Sequence, residues 1–355
     1  MGAGYMTSKR KKTFPTLLFL AALLLVSIVV ALGIGAVSIP VSETIHILAR
    51  SIPIGGRFLL PPTAVIIPSH RDILIELRLP RVLLAVLVGS SLSVSGATFQ
   101  GLFKNPMADP HIIGVSAGAA LGGTTALALG PRLRYFGLGA VPLFAFAGAL
   151  LTVVLVYNMA RVGGRAPIMS LLLAGIAVSS ILQALVSLIT YFSDGELQKI
   201  VFWMMGSLSG RGWEYLLLAL PYSLASMAVI WVFARDLNAF LLGEEPALHL
   251  GIEVEAVKRY LLWAASMLTA SAVATSGLIG FVGLVVPHVV RLLLGPDHRV
   301  LLPAVALTGG IFLVWVDILA RTALPPLELP LGLLTSLVGG PFFIYLLRKR
   351  KHALY

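Results

Sequence analysis

The residues from Gly243 to Gly251, Gly-Glu-Glu-Pro-Ala-Leu-His-Leu-Gly, set two carboxylates and a proline between two glycines. A glycine ends one helix, acids suit the positive dipole of a new first turn, and proline there lacks only an N–H that would be unpaired anyway. This spacing predicts a short helix with both ends marked, presenting Ala247, Leu248 and Leu250 as apolar contacts. Its chemistry is recognition, and the complete start and stop signals favour a docked partner over a solvated loop. A second recognition group is Arg78, Arg81 and Arg321, with Asp317 one helical turn before Arg321. Guanidinium forks match carboxylates, so they suit an acidic partner. Arginines snorkelling at helix ends, one of them paired with Asp317, fit the residue types equally well.

Two further patterns concern packing more than chemistry. Ser90, Ser91, Ser93, Ser95, Thr98 and Gln100 make one apolar run unusually polar. Hydroxyls can bond back to their own helix, and Gln100 lies near a membrane edge, so a structural role is favoured over a pore lining. Gly114, Gly118 and Gly122 recur every fourth residue, the pattern of a close helix–helix approach.

Other chemistries are missing. The seven histidines are dispersed and form no metal-ligand pair at helical spacing. There is no Gly-x-x-x-x-Gly-Lys-Ser/Thr phosphate loop, no paired intramembrane carboxylates for a proton relay, and no cysteine for thiol chemistry or a disulfide. Energy for any transport therefore has to come from another chain.

The elements that hold these residues are membrane helices. With 58% hydrophobic and 12% charged residues in 355 and a mean hydropathy of +0.97, the chain is a polytopic, all-α membrane protein. Apolar runs fall near 14–38, 79–103, 111–130, 138–160, 167–191, 213–234, 259–276, 278–294, 300–320 and 331–347, each close to the length that crosses a bilayer. The Arg78-Leu79-Pro80-Arg81 collar predicts a helix boundary at the second of them. Gly277, Gly280 and Gly283 either interrupt one helix or separate two. The first run follows Lys9 to Lys12 but is too long for a cleaved signal, so it reads as a retained helix.

The net charge of +11 is scattered among these runs rather than gathered on one face, which argues against nucleic acid. With ten crossings and a cytoplasmic amino terminus, most of the 26 Lys and Arg fall inside, despite Arg50, Arg57, Arg71, Arg78 and Arg81 outside. The positive-inside rule then puts both termini in the cytoplasm. Outer residues 39–77 are rich in proline (Pro40, Pro53, Pro61, Pro62, Pro68), with a short interfacial helix expected at Val41–Ala49. A surface or re-entrant helix is expected within Tyr191–Gly212. Residues 235–257 form the largest inner loop, and they lie within one transmembrane domain spanning 1–355. Val94-Ser95-Gly96 and Thr275-Ser276-Gly277, each followed by a Gly and a Pro-His pair, echo one another as inverted transporter repeats do, and chance likeness of two Gly-rich apolar segments explains the echo equally well.

The order of these motifs resembles the FecCD-type permeases, the membrane subunits of type II ABC importers for iron-siderophores, haem and cobalamin. The resemblance rests on Arg78–Gly122, Gly243–Gly251, Gly277–Pro303, Asp317–Arg321 and Leu327–Leu347, and it covers almost the whole chain. It implies a BtuC-like fold of about ten transmembrane helices. It also implies a homodimer, two cytoplasmic ATPase subunits carrying ATP and Mg2+, an external substrate-binding protein, and a chelate translocated at the dimer axis. Gly243, Glu244, Glu245, Ala247, Leu250 and Gly251 inherit ATPase coupling, while Arg78, Arg81 and Arg321 inherit binding-protein docking. The fifth helix inherits the main lining of the path, and Ile168 and Met169 fall at the inner gate, where both are apolar. An ion-coupled secondary transporter and an integral-membrane enzyme are the remaining readings. The first lacks a charge relay and the second a cluster of nucleophile, base and orienting group.

Overall fold

The computed structural model describes residues 2–51, 67–129, 134–135, 138–193 and 195–351. Pro53, Arg57, Pro61 and Pro62 of the outer segment lie outside them. The described chain is helical apart from a two-residue antiparallel pairing of Arg134–Tyr135 with Leu138–Gly139. Its helices are α1 (Gly2–Gly33), α2 (Val41–Ser51), α3 (Pro68–Leu102), α4 (Val115–Ala128), α5 (Ala140–Ala160), α6 (Ile168–Phe192) and α7 (Leu197–Met204), continuing with α8 (Trp213–Val232), α9 (Ala234–Leu242), α10 (Glu244–His249), α11 (Val254–Ser276), α12 (Val282–Leu294), α13 (His298–Thr322) and α14 (Leu331–Lys351).

Each expected apolar run lies on a helix, and six helices are both long and apolar enough to cross a bilayer. Three runs differ in extent from the reading of the sequence. The collar does not begin a helix, because α3 continues back to Pro68. Its Ile73–Arg78 stretch is a π-helix immediately before Pro80. The wider turn accommodates a ring that would otherwise meet the carbonyl four residues earlier. The runs at 111–130 and 278–294 shrink to helices of 14 and 13 residues, about 20 Å long. Both begin from left-handed backbone, Gly114 at φ +83° and Phe281 at φ +67°, and Gly277 separates α11 from α12 rather than interrupting one helix. The two junctions meet, with His111 Nε2 3.4 Å from the Ile279 carbonyl. Irregular backbone at membrane depth is tolerated where protein encloses it.

The local echo does not extend to conformation. Gly96 sits inside α3, whereas Gly277 ends α11 at φ +72°.

Helix α3 forms the centre, with nearly every residue from Pro80 to Leu102 buried. Its missing and small side chains explain how. A Cβ on Gly96 would lie 1.8 Å from the Gly283 carbonyl oxygen on α12, and one on Gly89 would lie 2.2 Å from that of Gly309 on α13. The hydroxyls follow the same logic. Ser90 donates to Ala306 O (2.6 Å), Ser95 to Ala265 O (2.8 Å), Thr98 to Val94 O (2.8 Å), and Gln100 Nε2 to Leu284 O (3.3 Å). Ser90, Ser95 and Gln100 thus tie α3 to neighbouring helices, while Thr98 bonds back within its own helix as the sequence reading expected of hydroxyls. Gly118 and Gly122 likewise press α4 onto α5, each within 2.3 Å of an α5 backbone oxygen if given a Cβ.

Candidate functional site

Two clusters stand at opposite ends of α13. One surrounds Arg321 at its last turn, and the other surrounds His298 at its first.

At the Arg321 end the three arginines converge as the sequence suggested, but they bond inward. Helix α1 ends with no basic residue in its last turn, leaving carbonyls at a negative dipole end. Arg78 supplies Nη1 to Leu32 O (2.8 Å) and Gly33 O (3.3 Å), and Nη2 to Val37 O. Arg321 supplies Nη1 to Ile34 O (3.0 Å) and Nη2 to Ala31 O (3.2 Å). Two cations from distant helices therefore cap α1. Asp317, one turn before Arg321 and 1% exposed, lies 3.1 Å from Arg321 Nε and 2.9 Å from both Nε and Nη2 of Arg81. The helical-spacing pair with Arg321 was legible in the sequence, but the contact with Arg81 spans 236 residues and was not.

Arg81 is also the member nearest solvent. Its Nη1 and Nη2 each lie 3.0 Å from a carboxylate oxygen of Glu328, on the loop between α13 and α14. Partial burial alone would raise the Glu328 carboxyl, but this two-pronged bond holds it below its ordinary value. The loop is anchored by backbone bonds from Leu329 N to Ala320 O (3.0 Å) and Leu331 N to Gly206 O (2.9 Å).

At the opposite end Gly243 (φ +133°) closes α9 and opens α10, and Gly251 (φ +80°) ends the motif, as the spacing predicted. The presumed face needs one correction. Ala247 is wholly buried, because the single turn is folded under by Ala247 N to Gly243 O (3.3 Å) and Ile252 N to Ala247 O (3.2 Å). Leu248 and Leu250 remain on the surface, 56% and 65% exposed, with Glu245 exposed beside them. The inner loop is also shorter than 235–257, since α11 begins at Val254.

This turn is tied to the rest of the His298 end by a residue that the sequence did not single out. Lys258, largely buried, reaches Glu244 at 3.2 Å and Glu255 at 2.8 Å. Glu255 in turn accepts from Ala166 N (3.2 Å), just before α6. Ile168 and Met169 start α6, with Ile168 packed against the core and Met169 68% exposed. On the other flank, Asn238 of α9 donates to Asp297 (2.7 Å) and accepts from His298 N (2.8 Å). Arg299 and Asn238 together hold the Asp297 carboxyl down to about 2, Arg299 contributing most. A rigid turn thus connects to the start of α6 on one side and to the start of α13 on the other.

A family model described as the FecCD transport family matches residues 23–349. The cobalamin import system permease of Halobacterium salinarum is 45% identical over 331 residues, covering 89% of this chain and 86% of that protein. The hemin transport system permease of Yersinia pestis is 44% identical, with 78% and 83% covered. The Fe(3+) dicitrate transport system permease of Escherichia coli is 40% identical, with 79% and 86% covered. A structure described as an inward-facing conformation of a metal-chelate type ABC transporter superposes with a TM-score of 0.81 at 33% identity, over 94% of this chain and 99% of that one.

Proposed function

The chain belongs to the FecCD transport family, and from that premise we propose that it imports a metal chelate as one half of a homodimer. Two ATPase subunits carrying ATP and Mg2+ would supply the energy, and an external substrate-binding protein would deliver the cargo. The end bearing α10 and both termini is then the cytoplasmic side, and the Arg78, Arg81 and Arg321 end faces outward. The reading is supported above all by α10, a turn on which Leu248 and Leu250 stand exposed, uncovered by the described residues of the chain. An ATPase surface seated there would push on Glu244, and Lys258 and Glu255 would pass the displacement to Ala166 and the Ile168–Met169 gate. Alternating access follows when closure of the ATPases favours one arrangement of this end.

Leu250→Asp tests the docking surface. A charge desolvated in a contact built for an aliphatic side chain is expected to weaken copurification of the ATPase at least about tenfold, and Ala247 stays untouched, so the turn itself persists. Full assembly and uptake by this variant would remove α10 as the coupling element.

The outer cluster would receive the binding protein through Arg81, whose guanidinium edge, Nη1 and Nη2, carries Glu328 on the solvent side while Asp317 holds Nε and Nη2 from within. An acidic residue of the partner would compete with Glu328 for that edge. Glu328→Ala is therefore expected to tighten docking by about 1 kcal/mol, or roughly fivefold, with a steeper dependence on salt. Affinity unchanged across a salt series would leave Arg78 and Arg321 with capping alone and Arg81 with its carboxylate pairs.

A further inference from the structure

Helix α6 exposes a broad face along its whole length, and that face changes character midway. Toward the inner end it presents Met169, Leu173 and Ile176, more than half exposed. Toward the outer end Ser180, Gln183 and Ser187 follow at spacings of four, three and four from Ile176, which places them on the same side of the helix. The two hydroxyls are satisfied locally, Ser180 donating to Ile176 O and Ser187 to Gln183 O at 3.0 Å each. Hydroxyls satisfied in this way would be at ease against lipid.

Gln183 is different. Its carboxamide is exposed, and no described residue bonds it. It also stands nine residues before the end of a 25-residue span. On the six long apolar spans the other exposed Asn, Gln, Asp, Glu, Lys, Arg and His side chains lie in the terminal turns of their helices or in the outer third of the 35-residue α3, and the phenol of Tyr222 is exposed midway along α8. A carboxamide with unmet N–H and C=O groups is costly to hold against hydrocarbon.

We propose that Gln183 faces a water-filled passage and offers the cargo an uncharged hydrogen-bond contact there. With no fixed charge on this face of α6, the contact suits hydroxyl, amide or carboxyl groups on the periphery of a chelate. The apolar Met169, Leu173 and Ile176 stretch forms the dry part of the same wall. The inference rests on the permease reading and adds to it the residue and the contact chemistry.

The chain has no cysteine of its own, so an introduced thiol is its sole target for a thiol reagent. Gln183→Cys, Ser187→Cys, Ile181→Cys and Leu188→Cys are made in the assembled transporter in membrane vesicles, with assembly checked by copurification of the ATPase. The probe is a cationic, membrane-impermeant methanethiosulfonate. Thiols at 183 and 187 are expected to react about tenfold faster than those at 181 and 188, which lie on the lipid flank. Equal, slow reaction at all four would overturn the passage. So would a disulfide between two copies through Gln183→Cys without reaction with the probe, since that marks a helix contact. Position 187 reports on the same face if the 183 variant does not assemble. Gln183→Leu is expected to cut uptake several-fold while Gln183→Asn preserves most of it, and unimpaired uptake in Gln183→Leu would remove the cargo contact. Cysteine variants that show this labelling pattern, alongside a wild-type chain that carries no chelate, would instead defeat the importer reading and leave the passage standing.

Discussion

A valine in place of Gly96 is expected to abolish the assembled permease. Its Cβ alone would sit 1.8 Å from the Gly283 oxygen, and the atoms in the way are backbone of α12, which no rotamer change can clear. Relief requires α12 to move away from α3, which would break the Gln100 bonds to Gly283 and Leu284 and unseat the Phe281 turn against Gly339. Helices in lipid gain little from hydrophobic drive and depend on close packing, so separation forfeits most of what holds them together. Overpacking in a soluble core typically costs about 1–3 kcal/mol, and a clash of rigid backbone on two helices should exceed about 3 kcal/mol. Thermal unfolding in detergent, or the monodisperse yield after extraction, measures it. Gly280→Ala is the matched control, because nothing lies within 4 Å of its Cβ position, and it should cost no more than about 0.5 kcal/mol. If Gly96→Val melts with Gly280→Ala, the α3–α12 approach is wrong.

That contact also shows where reading the sequence succeeds and where it stops. Apolar runs are legible because lipid and protein interior both select the same side chains, so all ten positions carry helices. The same ambiguity hides which helices touch lipid. Helix α3, with its serines, looked like a polar exception and is the buried centre, with Ser90 and Ser95 bonding to neighbouring helices. Lengths are less legible. The runs at 111–130 and 278–294 stay apolar past the points where Gly114 and Phe281 turn the chain, since an enclosed junction needs no change in composition. Local grammar worked at Gly243 and Gly251, where caps follow from neighbours. It failed for Ala247, because which side of a single turn is buried depends on α11 and the loop beneath it.

The arginines mark the same boundary between local and distant information. Spacing gave Asp317 with Arg321, a pair four residues apart. It could not give Arg81 with Glu328, separated by 247 positions, or the use of Arg78 and Arg321 to cap a helix whose own last turn is uncharged. Lys258 escaped notice for a related reason. Among scattered basic residues of an inner flank it looks like an orientation signal, and only the fold brings Glu244 to it.

Asp317→Ala is expected to be the most destabilising charge deletion in the Arg321 cluster. The carboxylate is 1% exposed and lies within 3.1 Å of two guanidinium groups. Removing it leaves Arg321, whose side chain is 6% exposed, as a buried cation with carbonyl partners but no counter-charge. Breaking such a pair costs about 3–5 kcal/mol, mostly through the partner left unpaired. Arg81 is partly protected, because Glu328 still holds its Nη atoms. Arg321 is not, and its drift away from Ala31 and Ile34 would loosen the end of α1 as well. Asp317→Asn should fall between, keeping the shape and one acceptor while losing the charge. The exposed pair Lys199–Glu196, 2.8 Å apart with Lys199 62% exposed, supplies the comparison. Glu196→Ala should cost under about 1 kcal/mol and its effect should fade with salt, whereas the Asp317 loss should persist in high salt because the pair is shielded from counterions. Melting temperatures of the purified transporter at low and high salt read both. A loss for Asp317→Ala no larger than that for Glu196→Ala would mean that Arg81 and Arg321 are solvated, and the inward bonds of Arg321 to α1 would have to be abandoned with it.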